Sequence, residues 1–221
     1  MEGASFSLIV KDVHNGETVF AYDTLRQLTP ASVMKTVTTA TALEILGEDY
    51  RFPTTLAYDG SIEKGLLKGN LYIKGSGDPS LGSAHFAPYH KRFLQEWISA
   101  LKKVGIHKIQ GAVIADESIF DTEGTSFKWV GEDMGSYYGA GSYGLCVFDN
   151  LYKLGLQTGA PGSRPKLKGT EPELSGIHFH NYLTAQQVSS DSSFIVGAPF
   201  ATDRYLSLIH ISEPTRRVVI S

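Results

Sequence analysis

The sequence predicts an α+β fold. Strand-like segments with apolar residues at alternate positions are interspersed with helix-like segments at three- and four-residue spacing. They do not follow the strict β-α-β order of a parallel-sheet protein. The chain has 221 residues, 42% hydrophobic and 19% charged, proportions ordinary for a folded protein and far from those of a disordered one. That length corresponds to one large domain or two small ones. It buries about 70% of the unfolded surface, enough for a core without a metal or disulfide staple.

Taken in order, residues 5–23 read as a β-hairpin. Ser5-Phe6-Ser7-Leu8-Ile9-Val10 and Thr18-Val19-Phe20-Ala21-Tyr22 are rich in β-branched and aromatic residues, and Asn15-Gly16 between them is a type I′ turn signal. Residues 31–46 read as a helix, started by Pro30 and stopped by Gly47. This helix is apolar nearly all round, which predicts burial. Phe52 to Tyr58 and Asn70 to Lys74 read as strands with Asp59-Gly60 turning between them, and Gly75-Ser76-Gly77-Asp78-Pro79 as a loop. Phe93 to Val104 is amphipathic, with Phe93, Trp97, Ala100, Leu101 and Val104 on one face and Lys102-Lys103 at the end where the helix dipole favours cations. Ile109 to Ala115 reads as a strand. Beyond it 135–144 is rich in Gly and Tyr, 159–173 reads as a Gly/Pro/Lys loop, and short strands fall near 176–183 and 193–197.

Composition excludes several classes of function. The net charge of −3 offers no basic footprint for nucleic acid or an anionic membrane. The single cysteine, Cys146, rules out an internal disulfide framework and a multi-cysteine zinc site. No apolar run approaches the roughly 18 residues of a transmembrane helix. Met1-Glu2-Gly3-Ala4 begins the chain without the basic and apolar regions of an export signal.

One motif carries chemistry. Ser32-Val33-Met34-Lys35 places a serine and a lysine three residues apart at the start of a helix, so both project to the same side. A desolvated lysine loses its proton readily and can take the proton of the neighbouring hydroxyl, while the helix N-terminus adds backbone N–H dipoles. The same four-residue pattern recurs at Ser61–Lys64, Ser99–Lys102 and Ser163–Lys166. Only Ser32 combines a helix start with an otherwise apolar helix able to bury its lysine. The competing reading is an N-cap serine beside a surface lysine. His178-Phe179-His180 puts two imidazoles on one strand face, the pattern of a metal pair, but spacing supplies no carboxylate partner, so they read as exposed strand histidines. Asp116 and Glu117 read as loop or cap residues, and Cys146, without an identifiable base, as buried or inert.

The wider sequence resembles a known family. Leu28-Thr29-Pro30-Ala31-Ser32-Val33-Met34-Lys35-Thr36-Val37-Thr38-Thr39-Ala40-Thr41-Ala42-Leu43 is similar to the nucleophile helix of the D-alanyl-D-alanine carboxypeptidase/endopeptidases, the class C low-molecular-mass penicillin-binding proteins. Leu46 to Thr55, Gly69 to Leu81 and Gly131 to Ala140 resemble the same family in the same order. The resemblance implies a serine hydrolase, periplasmic or secreted, acting on peptidoglycan stem peptides ending in D-Ala-D-Ala. Ser32 would match the acylated nucleophile and Lys35 its base, with β-lactams as inhibitors acylating the same serine and no cofactor or metal. It also implies a penicillin-binding-protein/β-lactamase-like transpeptidase domain interrupted by inserted mixed α/β domains. Residues 1–54 would hold the start of the catalytic domain and 55–205 an incomplete inserted region.

The departures from the family are as informative. Its Ser-x-Asn and Lys-Thr/Ser-Gly motifs do not occur in the sequence; Lys168-Gly169-Thr170 has the wrong order and Gln157-Thr158-Gly159 lacks the cation. The expectation is therefore an N-terminal, truncated piece of a larger exported enzyme, inactive as it stands and marginal over its first 50 or so residues. Two other classes compete: a β-lactamase- or esterase-like serine hydrolase, disfavoured by the long segment after Phe52, and a non-catalytic peptidoglycan-binding module. Residues 206–221 read as a tail of different origin. Leu206 to Arg216 matches a translated transposase sequencing adapter residue for residue, and Ile220-Ser221 matches its next fixed bases in frame. A native strand is the competing reading, because Leu206, Leu208, Ile209 and Ile211 nearly alternate.

Overall fold

The computed structural model describes residues 4–86, 92–121, 123–129, 133–185, 194–197, 202–207 and 215–220. Gly131 and Glu132 of the family-like stretch, and Leu208 to Pro214 of the tail, lie outside them. The chain divides into two compact units, Met1–Arg51 and Phe52–Ser221.

In the first unit, β1 (Leu8–Lys11) and β2 (Thr18–Tyr22) pair antiparallel, and Phe6 stacks on Tyr22 with ring centroids 4.8 Å apart. The connection is wider than a two-residue turn. Lys11 pairs with Thr18, Gly16 N–H donates to the Asp12 carbonyl, and of Asn15 and Gly16 only Gly16 has positive φ. The Asp12 and Asn15 side chains accept from the His14 and Glu17 N–H groups, which stabilises this longer loop instead of the I′ turn. After a 3-10 turn over Ala31–Val33, α1 runs Met34–Leu46 and ends at Gly47, φ +80°, whose N–H caps the Leu43 carbonyl.

The predicted burial of α1 does not occur. Val33, Met34, Val37, Leu43 and Ile45 are all more than half exposed, and no described residue of 4–51 is buried. Burial needs a facing apolar surface, and the hairpin and helix of Met1–Arg51 share none.

The second unit is built on two parallel seams. β3 (Thr55–Tyr58), β6 (Leu71–Lys74) and β8 (Val113–Asp116) form one sheet in the order β3-β6-β8, with β6 and β8 parallel. β4 (Ser61–Glu63), β5 (Leu66–Lys68) and β7 (Lys108–Gln110) form the next, with β5 and β7 parallel. The predicted turn between β3 and β6 thus holds a whole hairpin. Its turn residues Lys64 and Gly65, φ +48° and +84°, adopt the positive φ pair expected at Asn15-Gly16. The single strand predicted over 109–115 is broken at Gly111, where a Cβ would stand 2.1 Å from the Gly69 carbonyl oxygen. In chain order α2 (Phe93–Lys103) falls between β6 and β7, and it buries Phe93 against Trp97 and Phe148 in edge-on ring contacts. Trp97 and Leu101 are half-covered, whereas Ala100 and Val104 of the predicted face are exposed.

The other core lies between two three-stranded sheets. β9 (Tyr152–Gln157) is flanked by β10 (Lys166–Glu171) and β14 (Thr215–Ile220), both antiparallel to it. β13 (Asp203–Ser207) lies between β11 (His178–Asn181), parallel, and β12 (Phe194–Val196), antiparallel. Tyr152, Leu154, Leu156, Leu183, Ile195 and Leu206 pack together, with Phe179 against them. β9 alternates buried and outward residues along its length, and β10 replaces the predicted loop because β9 offers it a ladder. β14 comes from the stretch read as adapter. Strand propensity and an open sheet edge suffice for such pairing whatever the origin of the segment.

Candidate active site

The local chain conformation brings Ser32 and Lys35 together. Ser32 sits in the 3-10 turn and Lys35 in the first turn of α1, and Lys35 Nζ donates to Ser32 Oγ at 3.3 Å. Ser32 does not cap the helix: the cap positions are Pro30 for the 3-10 turn and Val33 for α1, and neither makes a side-chain capping bond. The competing reading thus loses its N-cap serine but keeps its surface lysine, since Lys35 is exposed. Ala31, immediately before the serine, has φ +45°, a conformation uncommon for a residue with a Cβ and typical of tightly constrained sites. The approach to this turn is tied down by Arg26, whose guanidinium donates to Asp23 at 3.0 Å and to Ser5 Oγ at 2.8 Å. Sequence spacing gave no signal for that tie. Both Ser32 and Lys35 are exposed, so the enclosure expected around the lysine is not supplied within Met1–Arg51.

The other Ser-x-x-Lys pairs behave differently. Ser163 Oγ donates to the Ala160 carbonyl, and Lys64 occupies the β4–β5 turn. Ser32–Lys35 alone of the four joins its hydroxyl and ammonium by a hydrogen bond among the described residues. Asp116 acts as a loop cap, accepting from Ser118 N–H at 3.0 Å. Cys146 Sγ is half-buried and held by Asn150 Nδ2 at 3.1 Å and by the Tyr143 backbone. His178 and His180 are exposed on β11, as their spacing predicts. The fold gives His180 the carboxylate that spacing could not show: Nε2 lies 2.6 Å from Asp203 Oδ1, and that hydrogen bond holds the Asp203 carboxyl below the usual range.

The fold is a mixed α/β arrangement of few helices and several small sheets, with a Ser-x-x-Lys pair at the head of a helix. The chain belongs to the D-Ala-D-Ala carboxypeptidase 3 (S13) family, whose model matches residues 1–208. It is 33% identical over 147 residues to a D-alanyl-D-alanine carboxypeptidase of Actinomadura sp. (strain R39), covering 66% of this chain and 26% of that protein. It is 29% identical over 133 residues to the D-alanyl-D-alanine carboxypeptidase DacB of Haemophilus influenzae, covering 60% and 26%. The solved structure of penicillin-binding protein 4 (dacB) from Haemophilus influenzae superposes with TM-score 0.74 at 22% identity, over 96% of this chain and 46% of that one. A second structure of that protein, complexed with a β-lactam, gives 0.68 at 20% identity, over 99% and 45%. These superpositions establish the fold. The matched stretch spans about a quarter of the curated relatives and just under half of the solved chains.

Proposed function

We propose that this chain carries the nucleophile of a serine-type D-Ala-D-Ala carboxypeptidase/endopeptidase acting on peptidoglycan stem peptides in the periplasm or outside the cell. The observation that carries the reading is the 3.3 Å contact between Lys35 Nζ and Ser32 Oγ at the head of α1, in a chain of this family. Ser32 Oγ attacks the carbonyl carbon of the penultimate D-Ala. Lys35 takes the hydroxyl proton as general base and passes it to the departing nitrogen. The C–N bond breaks, D-alanine or the cross-linked strand leaves as an amine, and water hydrolyses the ester on Ser32. β-Lactams acylate the same oxygen.

Acyl transfer also needs donors fixed around the developing oxyanion. The family takes the strand that supplies those donors, and the rest of the proton network, from Lys-Thr/Ser-Gly and Ser-x-Asn motifs that these 221 residues do not contain. The chain as written therefore holds a positioned nucleophile and base without turnover. In this reading residues 1–54 belong to the catalytic domain, 55–205 to the inserted region, and 206–221 to a tail of adapter origin. The gene's codons over 206–221 test the last point: codons other than the adapter's overturn it.

Incubation with a fluorescent penicillin followed by intact-mass and peptide mass spectrometry tests the rest. The 221-residue chain is expected to show no rapid stoichiometric acylation. A protein joining this chain to the two further motifs is expected to be acylated on Ser32 and to lose all acylation in Ser32→Ala. Acylation of the chain alone refutes the inactivity, and acylation of another residue refutes the assignment of Ser32.

A further inference from the structure

We propose that Asn15 is a site of spontaneous covalent modification, its side-chain amide converting to an acid through a cyclic imide closed on the Gly16 nitrogen. The inference is independent of the peptidase reading. Asn15-Gly16 does not form the I′ turn that its sequence suggests, and the loop it forms instead folds the Asn15 side chain back along the chain. Asn15 Oδ1 accepts the Glu17 N–H at 2.9 Å, and Asn15 Nδ2 donates to Glu17 Oε2 at 3.2 Å. A bond from a side-chain oxygen to the N–H two residues on closes a ring around the intervening peptide, so Cγ is held near the Gly16 nitrogen and not extended into solvent. Gly16 has no side chain to shield that nitrogen. A Cβ built there would meet nothing within 4 Å, and both residues are exposed.

The reaction needs water alone. The Gly16 nitrogen gives its proton to hydroxide and bonds to Asn15 Cγ, the Cγ–Nδ2 bond breaks, and Nδ2 leaves as ammonia with a proton from water. A second water opens the imide at either carbonyl, giving aspartate or isoaspartate. The Glu17 N–H stands where it stabilises the charge that develops on Oδ1 in the first step. The Gly16 N–H donates to the Asp12 carbonyl at 2.8 Å; this is a loop bond in a unit that buries none of its described residues, so local opening frees it. The product puts a new carboxylate beside Asp12 and Glu17, in place of the amide that donated to Glu17. The other asparagines are placed differently. Asn70, Asn150 and Asn181 are followed by Leu71, Leu151 and Tyr182, whose side chains crowd the attacking nitrogen. Their Nδ2 groups are tied to Asp59, to the Gly141 carbonyl and to the Pro165 carbonyl. Asn181 is an internal control: its Oδ1 also accepts the N–H two residues on, from Leu183 at 3.0 Å, but with tyrosine where Asn15 has glycine.

Incubation of the full chain for several days at physiological temperature and mildly alkaline pH, followed by trypsin digestion and mass spectrometry, tests the site. An unincubated sample serves as the blank for conversion during work-up. The peptide Asp12–Arg26 is expected to gain the mass of an amide-to-acid change and to split into aspartate and isoaspartate forms, with ammonia released in step. The peptides holding Asn70, Asn150 and Asn181 should convert at least about tenfold more slowly. Gly16→Ala should slow conversion at Asn15 about tenfold or more by setting a methyl beside the attacking nitrogen. Alanine is also strained at the Gly16 φ of +77°, so Glu17→Pro is the second variant; it removes the N–H on Oδ1 and should slow conversion by a similar factor of about ten or more. An unchanged Asn15 in the folded chain while the excised peptide Asp12–Arg26 converts means that the loop protects the site, and overturns the proposal. Conversion of Asn181 at the rate of Asn15, or an Asn15 rate untouched by both variants, overturns it equally.

Discussion

The two units of this chain handle apolar residues in opposite ways. Phe52–Ser221 turns Leu154, Leu156 and Leu206 to 1% exposure and Leu67 to none. Met1–Arg51, which is no less apolar along its helix, buries nothing among its described residues. Composition sets how much apolar surface a segment carries. Burial depends on a second surface arriving at the right place, and β9 and the β11–β13 sheet provide one where the hairpin and α1 do not. Local secondary structure survives the difference, since α1 has its glycine cap and the hairpin its ladder.

Substitutions that probe each unit sharpen the contrast, beginning with the largest effect. Leu154→Ala should cost about 2–5 kcal/mol in chemical denaturation, because it leaves a cavity in a packed core, whereas Val37→Ala on exposed α1 should stay within about 0.5 kcal/mol. A large loss at Val37 would break the comparison. Limited trypsin digestion should cut at Lys11, Arg26, Lys35 or Arg51 before Lys153 or Lys166, as read by intact mass. Gly111→Ala should destabilise the second unit by about 1–3 kcal/mol, because the added methyl meets the Gly69 carbonyl and the backbone must move.

A smaller effect concerns Asp59. Its carboxyl lies below the usual range, held first by the Asn70 backbone N–H, then by the Tyr72 hydroxyl and the Asn70 side chain. A depressed folded-state value contributes stability that is present above the unfolded value, near 3.9, and is lost as pH falls through the folded one. Asp59→Asn should therefore flatten the acid limb of the stability profile below about pH 4 and leave the region near neutrality without a new pH dependence. Least of all, Lys35→Met should leave the unfolding midpoint unchanged, since its 3.3 Å contact with Ser32 lies fully on the surface.

Much of this was legible in the sequence, and the exceptions share a cause. The hairpin, α1 with its Gly47 stop, α2 and the Ser32–Lys35 pair rest on spacings of two, three or four residues, which local geometry fixes. β10 and the Lys64-Gly65 turn were not legible. The first has too few apolar residues to announce itself without β9 beside it, and lysine is an unusual occupant of positive φ. The partnership of His180 with Asp203 spans 23 residues, and only the parallel register of β11 and β13 creates it. The exposure of α1 was misread because an all-round apolar helix implies a partner without specifying where that partner lies.

The close approach of Gly111 to Gly69 has a consequence for how this chain can change. β5 runs into β6 through Gly69-Asn70 and β7 into β8 through Gly111-Ala112. The two crossings lie side by side, with Gly69 N–H on the Gln110 carbonyl and Leu71 N–H on the Ala112 carbonyl. Two parallel ladders are thus threaded through a single joint, and their registers are locked in phase. Inserting or deleting one residue at the first crossing would slide β6 by one position and turn Leu71 out of the interior, and the same change at the second would slide β8 and turn out the half-covered Ile114. Length changes at this joint are therefore tolerated only in matched pairs, which makes it a poor place for a graft.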